Sequence, residues 1–240
     1  MADLAIITPT RGRPERFAEL VEAVEKTAGG DVLIVSCVDE DDPTRAEYDR
    51  LTPPTPGQLR YYGPRRSLSM WTNQVALNMP VLQGPDAPRY LASLGDDHRP
   101  RTHGWDRILI DAIEGLPGGF GFAYGNDLLQ GEQMPTAWVV SADVVRALNW
   151  MMLPSCEHMY VDNAILALGQ AADRIVYCPE VIVEHVHPVA GKAAWDASYR
   201  ASNAPARYGA DRAAFEAWRA SGLATDAAKL TALHAHLGRR

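Results

Sequence analysis

An α/β fold, with a mixed, mainly parallel sheet flanked by helices, is what this sequence predicts. Three observations carry it. The chain opens strand, helix, strand: an apolar run from Leu4 to Thr8, helical spacing of Phe17, Leu20, Val21 and Val24, and a second apolar run from Val32 to Val38. Both runs are continuous rather than alternating, the pattern of strands buried on two faces. Polar clusters then follow directly on strand ends, where open α/β sheets form their ligand crevice.

The elements follow in order. Pro9 and the Arg11-Gly12-Arg13 turn close the first strand, Pro14 suits the first position of a helix, and Gly29-Gly30 stops that helix. A right-handed βαβ unit is expected from this opening. Residues 39–66 are rich in Asp, Pro, Thr and Arg and read mostly as loop, with a short strand at Leu59 to Tyr62. Ser69 to Met79 reads as a helix with Trp71, Val75 and Met79 on one side. Tyr90 to Leu94 is a third strand, ended abruptly by Gly95-Asp96-Asp97-His98. Further helices are expected at Trp105 to Ile113, Ala142 to Asn149 and Met159 to Gly169. Strands are expected at Phe120 to Tyr124, Ala137 to Ser141, Ile175 to Tyr177 and Val181 to Val186. From about Trp195 the chain is Ala-rich and helical, anchored by Phe215, Trp218, Leu223, Leu230 and Leu233. Residues 1–194 thus read as one α/β domain and 195–240 as a helical extension packed on it. That extension fits a cover for the sheet, a lid over one side of the crevice, or a homodimer contact.

Composition excludes several classes. At 240 residues, 47% hydrophobic and 22% charged, the chain is an ordinary globular protein. Net charge is −7 without a run of five or six like charges, so a nucleic-acid partner is not expected. No apolar stretch reaches the ~18 residues of a membrane span, and the N-terminus lacks the basic start of a signal peptide. Cys37, Cys156 and Cys178 are odd in number and form no CxxC pair. They read as reduced thiols of a cytoplasmic protein.

Four clusters could carry chemistry. Thr8-Pro9-Thr10-Arg11-Gly12-Arg13 places two guanidinium groups between a strand and a helix start, which suits phosphate; the plainer reading is a turn with solvated arginines. Asp39-Glu40-Asp41-Asp42 follows the second strand, where an acid commonly accepts from a ribose or base; a solvated acidic turn fits equally. In Gly95-Asp96-Asp97-His98 the adjacent carboxylates repel and favour a cation. Oxygen ligands suit Mg²⁺ or Mn²⁺, and a nearby imidazole tilts the choice towards Mn²⁺. Glu184-His185-Val186-His187 sets both imidazoles on one strand face, where either could reach a metal. Between these clusters, Glu157 and Asp162 flank the start of a helix. They could cap it, or act as a base if that start faces the crevice.

Taken in order, the segments resemble the family-2-like GT-A glycosyltransferases over roughly residues 4–195. IITPTRGRPERFAELVEAV looks like the first strand and nucleotide pocket, and VLIVSCVDEDDP like the second strand with its base-binding aspartate. LSMWTNQVALN is similar to a helix with a characteristic asparagine, here Asn73. YLASLGDDHRPRTHGWD resembles the DXD metal segment, HMYVDNAILALG the later acidic motif, and VIVEHVHPVAGKAAWD the strand whose histidine completes the metal site.

The resemblance implies a GT-A, Rossmann-like fold and transfer of a sugar from a nucleoside-diphosphate sugar, by default a UDP-sugar, to an acceptor. Pro9, Thr10, Arg11, Asp39 and Asp41 would hold the nucleoside, with Asn73 counted in the same pocket, and Arg13 or Arg66 would touch phosphate. Asp97 would be the main ligand of Mn²⁺ or Mg²⁺, Asp96 would sit on the ribose or behind the metal, and His187 is preferred over His185 as the further ligand. Asp162 would be the catalytic base. The DXD segment departs from the pattern in ending on His98, and the later motif reads Val161-Asp162 where a Glu-Asp pair is usual. The inverting or retaining outcome therefore stays open.

Three rivals share some of these features. A nucleotidyltransferase normally carries a glycine-rich loop after its first strand, and here Gly12 stands alone. A metallohydrolase built on Asp96, Asp97, His98, His185 and His187 would leave Arg11 and Asp39 idle. A non-catalytic nucleotide- or carbohydrate-binding module is the third.

Overall fold

Leu4, Ala5, Ile6 and Ile7 lie on β1 (Leu4–Thr10), and all four are wholly buried, alternately against helices on either face of the sheet. That two-sided burial is why the run carries no polar alternation. The computed structural model describes residues 2–53 and 55–237. After β1 come α1 (Pro14–Thr27), β2 (Val32–Asp39), α2 (Arg45–Leu51), β3 (Gln58–Gly63), α3 (Leu68–Asn78), β4 (Tyr90–Ser93), β5 (His98–Pro100) and α4 (Trp105–Glu114). The second half runs β6 (Phe122–Asn126), β7 (Trp138–Ser141), α5 (Ala142–Leu148), α6 (Val161–Ala172), β8 (Ile175–His185), α7 (Ala197–Ser202), α8 (Pro205–Ser221) and α9 (Leu223–Leu237).

The strands form one sheet in the order β3-β2-β1-β4-β7-β6-β8-β5. β3, β2, β1 and β4 are parallel, β7 runs against both its neighbours, β8 is parallel to β6, and β5 closes the edge antiparallel to β8. The sheet is therefore mixed and mainly parallel, as expected. One face packs on α1, α2 and α4 through Phe17, Tyr48 and Trp105, and the other on α3, α5, α6, α8 and α9 through Trp71, Val144, Ile165, Phe215 and Leu230.

Three expectations need correction. Residues 45–51 are a helix, not loop: seven residues are too short to show a period, and Tyr48 is their one buried anchor. His98–Pro100 is a strand that exists only through its pairing with β8. The two late strands are one, β8, which passes through exposed Pro179. Its register against β6 shifts between Gly125 and Asn126, from Gly125↔Cys178 to Asn126↔Ile182. At that shift, the Cβ of any other residue at 125 would lie 2.3 Å from the Val181 carbonyl oxygen. Glycine is required by this close approach.

Candidate active site

β2 and β4 leave β1 on opposite sides, so the sheet has its switch point between β1 and β4, the usual place for a ligand crevice. A crevice of about 1170 Å³ opens there, lined by Pro9, Thr10, Arg11, Arg13, Asp39, Arg66, Asp96, Asp97, His98, Asp162, His185 and His187 among others. The C-terminal end of β1 meets the turn after β4 directly, with Thr10 Oγ1 donating to Asp96 Oδ2 at 2.7 Å.

On the β2 side, buried Asp39 accepts from Trp71 Nε1 at 2.7 Å, Arg11 Nη1 at 3.0 Å and the Arg66 backbone N–H at 3.2 Å. Arg11 also bonds the exposed Asp41. Arg66 lines the crevice with its Nε buried and without a hydrogen-bond partner among the described residues. Asn73 is held outside the crevice. Its Nδ2 donates to the Met152 carbonyl at 2.8 Å, and its Oδ1 accepts from Met151 and Met152 N–H at 2.7 and 2.9 Å. Both ends of the amide are thus spent on backbone, and its service to the crevice is to seat Met152, which does line it.

Arg13 lies among carboxylates. Its Nη1 is 3.0 Å from Asp96 and 4.0 Å from Asp97, and its Nε and Nη2 bond Asp196 at 2.9 and 2.8 Å. The guanidinium also sits 3.8 Å over the ring of Tyr199. Its charge is spent on the acidic pair. Burial raises the Asp96 carboxyl to about 6, against the pull of Arg13, with Asp97 adding to the rise. Burial would raise Asp97 too, but His185, His98 and Arg13 hold it well below the usual carboxylate range.

Among the described residues, Asp97, His98 and His185 are the one set of three side chains whose ligand atoms all lie within 4.8 Å of one another. The register of β5 against β8 explains this, because His98 and His185 are direct partners across the ladder. Their rings stack with centroids 4.4 Å apart. His98 is buried and accepts from the Gly95 N–H on Nδ1 at 2.9 Å. Burial and the neighbouring His185 charge push its pKa down to about 3, so it stays a neutral imidazole. His185 Nε2 lies 3.5 Å from Asp97 Oδ2 and its Nδ1 3.9 Å from Asp127 Oδ2. Burial opposes its charge, yet the two carboxylates raise its pKa to about 9.

His187 falls outside the set. It lies beyond the end of β8, its Nδ1 accepts from the Val189 N–H at 3.2 Å, and its ring packs on Tyr199. Asp162 opens α6 inside the crevice, and burial raises its carboxyl to about 7.

Three residues matter here that spacing did not single out. Asp127, 2% exposed, accepts on one oxygen from the N–H groups of Leu129, Gln130 and Gly131 and on the other from Thr136 Oγ1. It follows β6 as Asp96 and Asp97 follow β4, so the strand-end rule applied once more would have found it. Tyr199 donates its hydroxyl to Asp97 Oδ2 at 3.0 Å, and Asp196 holds Arg13. Both come from the helical extension, which therefore closes one wall of the crevice. No local pattern marks them.

No family description matches the chain, and no curated protein does. Solved structures do. The mannosyltransferase PcManGT from Pyrobaculum calidifontis, in complex with GDP-Man and Mn²⁺, superposes with a TM-score of 0.60 at 13% identity, over 99% of this chain and 81% of that one. S. aureus TarS residues 1–349, in complex with UDP, gives 0.54 at 9% identity, over 76% of this chain and 59% of that one. At these identities the likeness speaks for the fold. The chain has the GT-A fold of nucleotide-diphospho-sugar glycosyltransferases.

Proposed function

We propose that the chain is a divalent-metal-dependent glycosyltransferase, moving a sugar from a nucleoside-diphosphate sugar to an acceptor hydroxyl. The observation that carries this is one crevice, at the sheet's switch point, holding both the Asp97–His98–His185 set and Asp162. The donor set fits a divalent cation: one carboxylate held ionised, one imidazole held neutral, and a second imidazole that carries a proton between two carboxylates, a charge the cation would replace. Two nitrogens beside one oxygen suit Mn²⁺ better than Mg²⁺. Bound there, the metal supplies charge neutralisation for the departing diphosphate.

The chain's own residues do the rest. Asp39, fixed by Trp71, and Arg11 border the part of the crevice nearest β2, where a nucleoside would lie. Arg66 Nε, buried and unpaired, is a donor free for a phosphate oxygen. Arg13 keeps Asp96 and Asp97 together, two adjacent carboxylates that would otherwise repel. Asp162 takes the proton from the acceptor hydroxyl as that oxygen attacks the anomeric carbon. Its carboxyl, raised to about 7, is near the ideal for a base at neutral pH.

The nucleotide is a uridine or guanosine diphosphate, the two carried by the structures compared above. The test is calorimetric titration of UDP, GDP, TDP and their common sugar derivatives with and without Mn²⁺. Mn²⁺-dependent binding of one diphosphate supports the reading and names the nucleotide. No binding of any nucleotide in the presence of metal rejects it, and with it the roles of Arg11 and Asp39.

A further inference from the structure

α8 is a surface helix in which Asp211 and Phe215 alone are buried. A carboxylate only 2% exposed on such a helix needs compensation, since a buried charge without partners is costly. No cation among the described residues supplies it. Asp211 Oδ1 accepts from the Glu157 N–H at 2.8 Å, and Oδ2 from the His158 and Met159 N–H groups at 3.0 and 2.7 Å. Three successive backbone amides thus converge on one side chain more than fifty residues later in the chain.

The segment they belong to leads straight into α6 and Asp162. Its last residue, Tyr160, has φ 64°, a left-handed conformation that bulky side chains avoid. The same face of α8 holds that residue in place. Tyr208 meets the Tyr160 ring edge-on at 5.2 Å, and Phe215 stacks on it at 5.5 Å. Tyr208, Asp211 and Phe215 are spaced three and four apart, so they form one stripe of the helix. A strained backbone persists only where its surroundings over-determine it, and here α8 supplies those surroundings.

We infer that Asp211 is a positioning residue for catalysis: it fixes the 157–160 segment so that α6 presents Asp162 to the acceptor side of the crevice. The inference rests on Asp162 being the base proposed above. It gives the C-terminal helices a part in turnover, beyond covering the sheet.

The test is a double-mutant cycle on Asp211→Asn and Asp162→Asn. Asn keeps the shape but puts an amide donor against backbone donors. The probe is Mn²⁺-supported release of nucleoside diphosphate, with water as acceptor, from whichever of UDP-glucose and GDP-mannose the wild type binds. Asp211→Asn should lower kcat by about 10–100-fold, the cost of a misplaced catalytic group, with donor affinity within about threefold of wild type. In the Asp162→Asn background the same change should cost no more than about twofold, because it acts through a group already disabled. Additive losses, or weakened donor binding with kcat intact, overturn the positioning role and leave the base assignment standing. Unchanged kcat in Asp162→Asn alone, or a wild type that turns over neither donor, overturns the base reading and this inference with it. Should Asp211→Asn not fold, Phe215→Leu removes the ring under Tyr160 outside the crevice. It is read by the same cycle with the same expected non-additivity.

Discussion

Replacing Arg13 with Met keeps an unbranched apolar stem and removes the guanidinium and its charge. What remains is two neighbouring carboxylates, Asp96 and Asp97, 5% and 8% exposed, without the guanidinium that lies 3.0 and 4.0 Å from them. Removing one partner of a buried ion pair costs about 3–5 kcal/mol. The Asp196 pair adds about 1 kcal/mol at most, because that carboxylate is more than a third exposed and screened. For a chain of this size each kcal/mol moves the melting temperature by about 2–4 °C, so about 6–24 °C would be lost if both carboxylates stayed ionised.

The pH dependence sharpens this. Burial already raises Asp96 to about 6 with Arg13 in place, and without it the carboxyl rises further. A carboxyl raised on folding contributes stability that is full below the unfolded value of about 3.9 and is lost as pH rises through the folded one, here about 6. Protonation is therefore an escape that limits the damage. Against wild type, whose Asp96 is already raised to about 6, it costs about 1.4 kcal/mol for each pH unit above that value, hence about 1.4 kcal/mol at pH 7 and next to nothing at pH 5. The assay is thermal unfolding followed by circular dichroism, in chelator and then in Mn²⁺. The gap between Arg13→Met and wild type should narrow from about pH 7.5 to about pH 5, and Mn²⁺ should close more of it at the higher pH. Melting within about 2 °C of wild type at neutral pH, or an equal gap at both pH values, would show that Arg13 does not hold the carboxylate pair.

Other consequences are more local. Asp162→Asn should keep donor binding and lower turnover by about 10²–10⁴-fold. Because the ionised form is the base and burial sets its pKa at about 7, wild-type turnover should rise with pH to about 7 and level above it, and a flat profile contradicts the role. His185→Ala should weaken Mn²⁺ binding, measured by calorimetry, by at least about tenfold. His187→Ala should leave it nearly unchanged, since that imidazole is engaged by Val189 outside the set, and the reverse result would exchange their roles. Gly125→Ala should lower the urea midpoint by the equivalent of about 3 kcal/mol, because its Cβ meets the Val181 carbonyl at 2.3 Å and backbone cannot step aside. An unchanged midpoint would mean that the β6–β8 register shift is soft.

Much of the sheet was legible because burial on two faces writes itself into a continuous apolar run, as in Leu4–Thr8 and Val32–Val38. Elements lacking such a run escaped. α2 hangs on Tyr48 alone, and β5 is a His-Arg-Pro stretch that pairs only because β8 passes beside it. Pro179 reads as a break between two strands, yet it sits exposed within β8, where a missing N–H does no harm.

The site divides along the same line. Asp96, Asp97, His185 and Asp39 stand at or just past strand ends, and the sheet alone dictates that such positions converge. That His98 joins Asp97 and His185, while His187 does not, depends on the pairing of two strands far apart in the chain, His98 against His185. Tyr199, Asp196 and Asp211 lie deeper still beyond sequence reading. Asp211 grips backbone N–H groups, which every residue but proline carries alike, so nothing at positions 157–159 announces the grip. A carboxylate bound to a metal leaves chemical partners to look for. A carboxylate that shapes a loop leaves only its own burial, visible once the fold shows that Asp211 should have been on the surface and is not.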